Sequence, residues 1–227
     1  MTAATFTREA QERLKRYLNR PEYRIPIGLG DREAACSVAA INLAIDGILT
    51  AEIPDCMSSV TGKWIIFAQD KMPSELRNSE RWKAALVRAA GSGRNHERER
   101  ADMLIDWLWE TVLPSLQPIA DADGFGEQWR RMCTERSTEN ASAAKSFSNS
   151  AASHVGIYIA HAAMYTAHTH AEVDTTGVSS MVNGAAANAV NATMVTEIPI
   201  DVWELFDPVG ILERLVAVSE PDQGERR

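Results

Sequence analysis

The sequence predicts an all-α fold: a single multi-helix domain of about seven to nine helices, an irregular bundle with a small-residue-rich C-terminal helical pair. Three observations lead there. Apolar residues recur at helical spacing along most of the 227 residues. Strand alternation is sustained nowhere, and there is no βαβ rhythm or fixed-period repeat. Capping residues, prolines and glycines punctuate the apolar stripes where helices should start and stop.

Phe6, Ala10, Leu14, Tyr17 and Leu18 define the first helix, which Pro21 ends. A Pro/Gly loop from Tyr23 to Gly30 follows. Asp31 is the expected N-cap of a helix carrying Ala35, Val38, Ile41, Ile45, Ile48 and Leu49, which Ile53-Pro54-Asp55 breaks. A helix from about Ser59 to Asp70 carries Val60, Trp64, Phe67 and Ala68 on one face, widened by Ile65 and Ile66, and should be central. Its segment Lys63–Phe67, taken alone, would also suit a strand. Ser79 caps a helix with Trp82, Ala85, Leu86, Ala89 and Ala90, and Gly91 stops it.

The longest amphipathic helix of this half spans Asn95 to Leu113. Ala101, Leu104, Ile105, Leu108 and Val112 form its core face, with Trp107 and Trp109 beside it and Pro114 at its end. A short helix near Glu127–Cys133 carries Trp129 and Met132. Composition shifts at Arg136, so the expected division is an amphipathic half (1–136), an acidic Ala/Ser/Thr/Asn-rich half (137–219) packed on it as one domain, and a disordered tail (220–227). Apolar spacing from Phe147 to Met164 favours a helix despite indifferent helix formers. Asp174 to Gly177 reads as a turn, and Val178 to Val195 as a second helix whose small side chains permit close packing. A short helix after Pro199 holds Val202, Trp203, Leu205 and Phe206. Asp207-Pro208 then starts a helix whose buried face is Ile211, Leu212, Leu215 and Val216.

Composition is that of a globular chain, with 45% hydrophobic and 24% charged residues. No apolar run is long enough for a membrane span, and the N-terminus has no apolar core of a signal peptide, so a cytoplasmic protein is expected. Cys36, Cys56 and Cys133 are too scattered for a disulfide framework or a thiolate zinc site, and suit buried thiols in a reducing compartment. The net charge of −8 is unevenly placed: residues 146–227 hold 3 of the 23 Lys/Arg and 10 of the 31 Asp/Glu. Such a surface repels nucleic acid, and residues 1–145 offer at most a patch around Arg94, Arg98 and Arg100.

Histidines give the most unusual pattern. His154, His161 and His168 are seven apart, so a helix would project all three from nearly one side, with Ile157 and Met164 between them. Three readings stand side by side: hydrogen-bonded packing, a pH-sensitive seam meeting its copy on another subunit, or metal binding. Two turns separate neighbours by about 10.5 Å, too far for one ion to bridge, which leaves His168 with Glu172 as the compact pair and His170 beside it. Asp102, Asp106 and Glu110 stack along one helix flank, as a solvated face or a magnesium or acid/base row. Asp121 to Met132 lacks side-chain oxygens at two positions a calcium loop needs, and so reads as a turn. Neither Gly28-Leu29-Gly30 nor Gly91-Ser92-Gly93 matches a phosphate or dinucleotide loop, and no nucleophile elbow occurs.

These residues point to a non-catalytic helical protein, without cofactor, that binds a protein partner of basic character or itself. Direct nucleic-acid binding and membrane association are not expected. The interface candidates are His154, Tyr158, His161, Tyr165, His168 and Trp203. The alternative is a metal-dependent enzyme that joins His161, His168, His170 or Glu172 to Asp102, Asp106 or Glu110 across two packed helices. A third reading is a small-ligand sensor lined by Tyr158, Tyr165 and Trp203.

Overall fold

The computed structural model describes residues 6–150, 175–195 and 201–218. Over these it is all-α, with no strand beyond one isolated bridge pairing Gly30 with Ala35. Nine of the described helices are nine residues or longer, at the upper end of the expected number. The chain forms two compact units: residues 1–100 with 208–227, and residues 101–207. Arg136, where composition shifts, lies inside the second unit.

In the first unit, α1 (Arg8–Leu18) starts where the Thr7 hydroxyl accepts the amide of Ala10 and buries Ala10, Leu14 and Leu18, one residue per turn. The loop that follows is held from a distance. Asn78 accepts the Ile25 amide at 2.8 Å, and Arg77 donates to the Ile25 carbonyl at 3.0 Å. Tyr23 is buried and donates to the carbonyl of Ala35 at 2.6 Å.

Asp31 does not cap the next helix. Its carboxylate accepts the amides of Glu33 and Ala34, both at 2.8 Å, and closes a tight turn instead. Gly30 makes this turn possible, at φ +71° with the Ala34 carbonyl oxygen 2.0 Å from where a Cβ would sit. The helix therefore begins six residues later as α2 (Ser37–Ile45), capped by the sulfur of Cys36, and it ends at Asp46. Ile48 and Leu49, expected on its buried face, lie beyond that end, and Ile48 is exposed.

Helix α3 (Ser59–Lys71) buries Val60, Trp64, Ile65 and Ala68 and packs against α2 and the C-terminal helix, so Lys63–Phe67 is helical and the expected central role is met. Its N-terminus is capped twice. Ser58 accepts the Thr61 amide, and the carboxylate of Glu97 accepts the amides of Ser59 (2.6 Å) and Val60 (3.1 Å) and the hydroxyl of Ser58 (3.0 Å). After the single turn α4 (Ser74–Arg77), α5 (Glu80–Ala89) starts at the expected Ser79 cap and buries Trp82, Lys83, Ala85, Leu86, Val87 and Ala89.

Helix α6 (Glu97–Trp107) carries the chain across the division between the units, at Arg100 and Ala101. In the second unit it runs into a π-helical turn (Leu108–Val112) in which the Leu113 amide bonds to the Leu108 carbonyl, five residues back. Pro114 explains the widening: its ring removes a donor and clashes with the carbonyl a regular turn would place there. Short helices α7 (Leu113–Ser115) and α8 (Gln117–Ala122) and then α9 (Gly126–Glu135) follow. Trp129 is fully buried on α9 and donates to the Leu113 carbonyl at 2.8 Å. Trp107 and Trp109, expected at the flank of the stripe, are core residues.

Helices α10 (Thr138–Ser150) and α11 (Thr175–Val195) fall in the Ala/Ser-rich stretch. Val182, Ala185, Ala186, Ala189 and Val190 form the buried stripe of α11, and its small side chains bring the backbone close to the π turn. Thr175–Gly177, expected as a turn, belong to this helix. Helix α12 (Val202–Phe206) closes the unit. Helix α13 (Pro208–Ala217) returns to the first unit and packs on α5 and α3 with Ile211, Leu212, Leu215 and Val216 buried, as expected. Asp207 has left-handed geometry, φ +38°, and ends α12 rather than presenting an extended cap to α13.

Two predictions follow from this packing. Glu97→Ala strips three donors of their acceptor and should cost about 1–3 kcal/mol, read as a lower urea midpoint of the full chain. Arg81 grips the Glu213 carboxylate with two bonds of 3.1 and 2.7 Å, which holds its pKa below the ordinary 4.5. A depressed folded-state pKa gives stability that is complete above about pH 4.5 and is lost as pH falls through the folded value. Arg81→Met should therefore lower stability by about 0.2–1 kcal/mol at pH 7 and leave it unchanged at pH 2, as measured by denaturant titration at both pH values.

Candidate functional site

The C-terminal segment of the second unit presents the one sequence-named interface residue that falls among the described residues, Trp203. Two buried anchors fix α12. Val202 and Phe206, one turn apart, point inward, and the indole of Trp107 donates to the Phe206 carbonyl at 3.2 Å. The two rings meet edge to face, with centroids 5.4 Å apart. The start of the helix is set by Asp201, which accepts the amides of Trp203 (3.2 Å) and Glu204 (3.1 Å).

With that inner face spent, the outer face is amphipathic in an unusual sense. Leu205 is 50% exposed, Trp203 is half-buried, and Asp201, Glu204 and Asp207 are all exposed around them. Leu205 was expected with the apolar residues of this helix, and its exposure is the feature the spacing did not reveal. A five-residue helix has room to bury one stripe, and Val202 and Phe206 occupy it. The arrangement can take an apolar side chain at its centre and cations at its rim.

The remaining sequence candidates divide in two. His154, Tyr158, His161, Tyr165, His168, His170 and Glu172 lie outside the described residues. The carboxylate row is described: Asp102 is half-buried, Asp106 and Glu110 are exposed, and Glu110 lies 3.6 Å from the guanidinium of Arg136. Among the described residues no three His, Cys, Asp or Glu side chains stand together as metal ligands.

Of the local patch that Arg94, Arg98 and Arg100 could at most offer, Arg100 is withdrawn from the surface. Arg94 pairs with Asp55 at 3.4 Å, and Arg100 is completely buried because its guanidinium bonds backbone carbonyls of its own unit. Of the stretch from Asp121 to Met132, read as a turn, only Asp123 and Gly124 turn; Asp121 lies in α8, and Gly126 to Met132 belong to α9. The Asp121 carboxylate accepts from Gln117 at 2.8 Å and faces Arg130 at 3.3 Å. One of its oxygens fills the space, 1.8 Å away, where a Cβ on Gly126 would sit.

All three cysteines are free thiols. Burial raises the pKa of each, most for Cys133, pushed up to about 12, so each stays protonated at neutral pH. No helix among the described residues is long and apolar enough to cross a membrane. Comparison of the chain with family models, curated proteins and solved structures gives no match.

A thiol with so high a pKa is a poor nucleophile. Cys133 should stay unalkylated by iodoacetamide at pH 7.5 in the native protein and react fully once urea unfolds it, as peptide mass mapping would show.

Proposed function

We propose that this protein is a non-catalytic binding module that docks a basic segment of a partner protein on the acidic face around Leu205. One observation carries the reading: a half-exposed leucine lies within a few residues of the exposed acids Asp201, Glu204 and Asp207, in a stretch without a Lys or Arg from residue 146 to 213. An apolar centre gives contact area and the acidic rim selects cations. The same rim repels its own copy, so the partner is a different, basic protein rather than a second copy of this chain. A phosphate backbone is disfavoured for the same reason. The proposed setting is the cytoplasm, where the three free thiols stay reduced.

Titration of the full chain with a fluorescent lysine- and leucine-rich helical peptide tests this. Affinity should fall about tenfold between 0.1 and 1 M salt, as the Debye length shrinks from about 10 to 3 Å. Leu205→Lys should weaken binding by a further factor of about ten, about 1.4 kcal/mol. Binding that ignores salt, or that survives Leu205→Lys intact, overturns the proposal.

A further inference from the structure

A second feature, in the first unit, has the opposite electrostatic character. Helices α1 and α5 run beside each other, and a groove of about 340 Å³ opens between them, within the range of small-molecule sites. Leu18 and Val87 give it an apolar lining. Three cations, Lys15, Lys83 and Arg88, border it, against one acid, Glu80. In a chain of net charge −8 the lining is thus net positive.

Lys83 is the informative residue. The residue retains only 8% of its exposure, yet among the described residues its ammonium meets no hydrogen-bond acceptor and no carboxylate. The ammonium stands over the face of Tyr23, whose ring centre lies 5.9 Å away. That contact is at the outer limit of cation–π attraction. The Tyr23 hydroxyl donates to Ala35 and is not bonded to the ammonium. The stem of Lys83 is covered while the ammonium is not wholly withdrawn from solvent, so a cation held in a fixed position stands open to an anion. Lys15 differs: it is 45% exposed and pairs with Glu12 at 3.1 Å, so its charge is already answered.

We infer that the groove between α1 and α5 binds a small organic carboxylate with an apolar body, the carboxylate meeting the ammonium of Lys83 near Arg88 and the body lying on Leu18 and Val87. The ligand is read from complementarity: a lysine ammonium without a carboxylate partner, a second cation five residues further along α5, and apolar side chains between the helices. It is independent of the acidic face, which belongs to the other unit.

The test is calorimetric titration of the full chain with hexanoate, with hexanol and hexylamine as neutral and cationic counterparts of the same body. Hexanoate should bind saturably with a stoichiometry of one, and hexanol and hexylamine at least about tenfold more weakly. Lys83→Met should abolish hexanoate binding while the far-ultraviolet circular dichroism is unchanged. Should that variant fail to fold, Ala84→Trp provides a second route. Ala84 is an exposed residue of the groove wall, and the indole there should obstruct entry and cost at least about tenfold in affinity. Equal binding of hexanoate and hexanol, retention of hexanoate affinity in a folded Lys83→Met or Ala84→Trp protein, or no saturable uptake of hexanoate up to about 10 mM would each overturn the assignment.

Discussion

The guanidinium of Arg100 is wholly withdrawn from solvent and bonded to backbone carbonyls. Its Nε donates to Leu215 at 3.0 Å, one terminal nitrogen to Ser92 at 3.1 Å, and the other to Asn95 and Gly93. A buried charge of this size is tolerable only when its donors are met, and five fixed donors make arginine the side chain able to do so. Burial draws its pKa down, but an arginine keeps its proton. The first unit is discontinuous in sequence, and the Leu215 bond joins its last helix to the rest across 115 residues. The segment from Ser92 to Glu97 gathers around the same point. Ser92 accepts the Ser58 amide, Gly93 donates to Cys56, and Glu97 caps α3. One arginine, one glutamate and one serine thereby set where α3 begins and where α13 ends.

Such a hub is not legible in a sequence, because nothing local distinguishes Arg100 from Arg98 or Arg94. All three sit in a charged stretch that reads as solvent-facing, and only partners far along the chain give Arg100 its place. What the sequence does display is anything decided within one or two turns. The stripes Ala10, Leu14, Leu18 and Ile211, Leu212, Leu215 are buried as spaced, and Ser79 caps α5 as its position implies. Asp31 shows where local reading is ambiguous in kind: the same carboxylate suits a helix cap or a closed turn, and the left-handed Gly30 before it decides for the turn. The π turn before Pro114 is likewise a compromise between two neighbours, a core-facing stripe that continues and a proline that forbids a regular turn.

The candidate sites were legible to different degrees for the same reason. The acidic excess after residue 146 is a matter of composition, so it is visible without a structure, and it drew attention to Trp203. The exposure of Leu205 required knowing that Val202 and Phe206 claim the inner face. The groove is the opposite case. Lys83 lies in an ordinary amphipathic helix, three residues from Glu80 and five from Arg88, and nothing in that spacing suggests a burial of nine-tenths. Its position follows from the packing of α1 against α5, which covers the stem and brings the Tyr23 ring beside its ammonium.

Net charge is therefore a poor guide to what this chain would hold. At physiological salt a charge is felt over about 8 Å, less than the span of either unit, so each surface acts through its own neighbours. Around Leu205 the neighbours are three exposed acids, and in the groove they are three cations and one acid. The energetic weight differs as well. Exposed acids lose most of their pull as salt rises, so docking at Leu205 depends on its apolar contact for persistence and on charge for selection. Lys83 is held in place by its buried stem, so an anion in the groove would meet its ammonium at little cost in side-chain ordering.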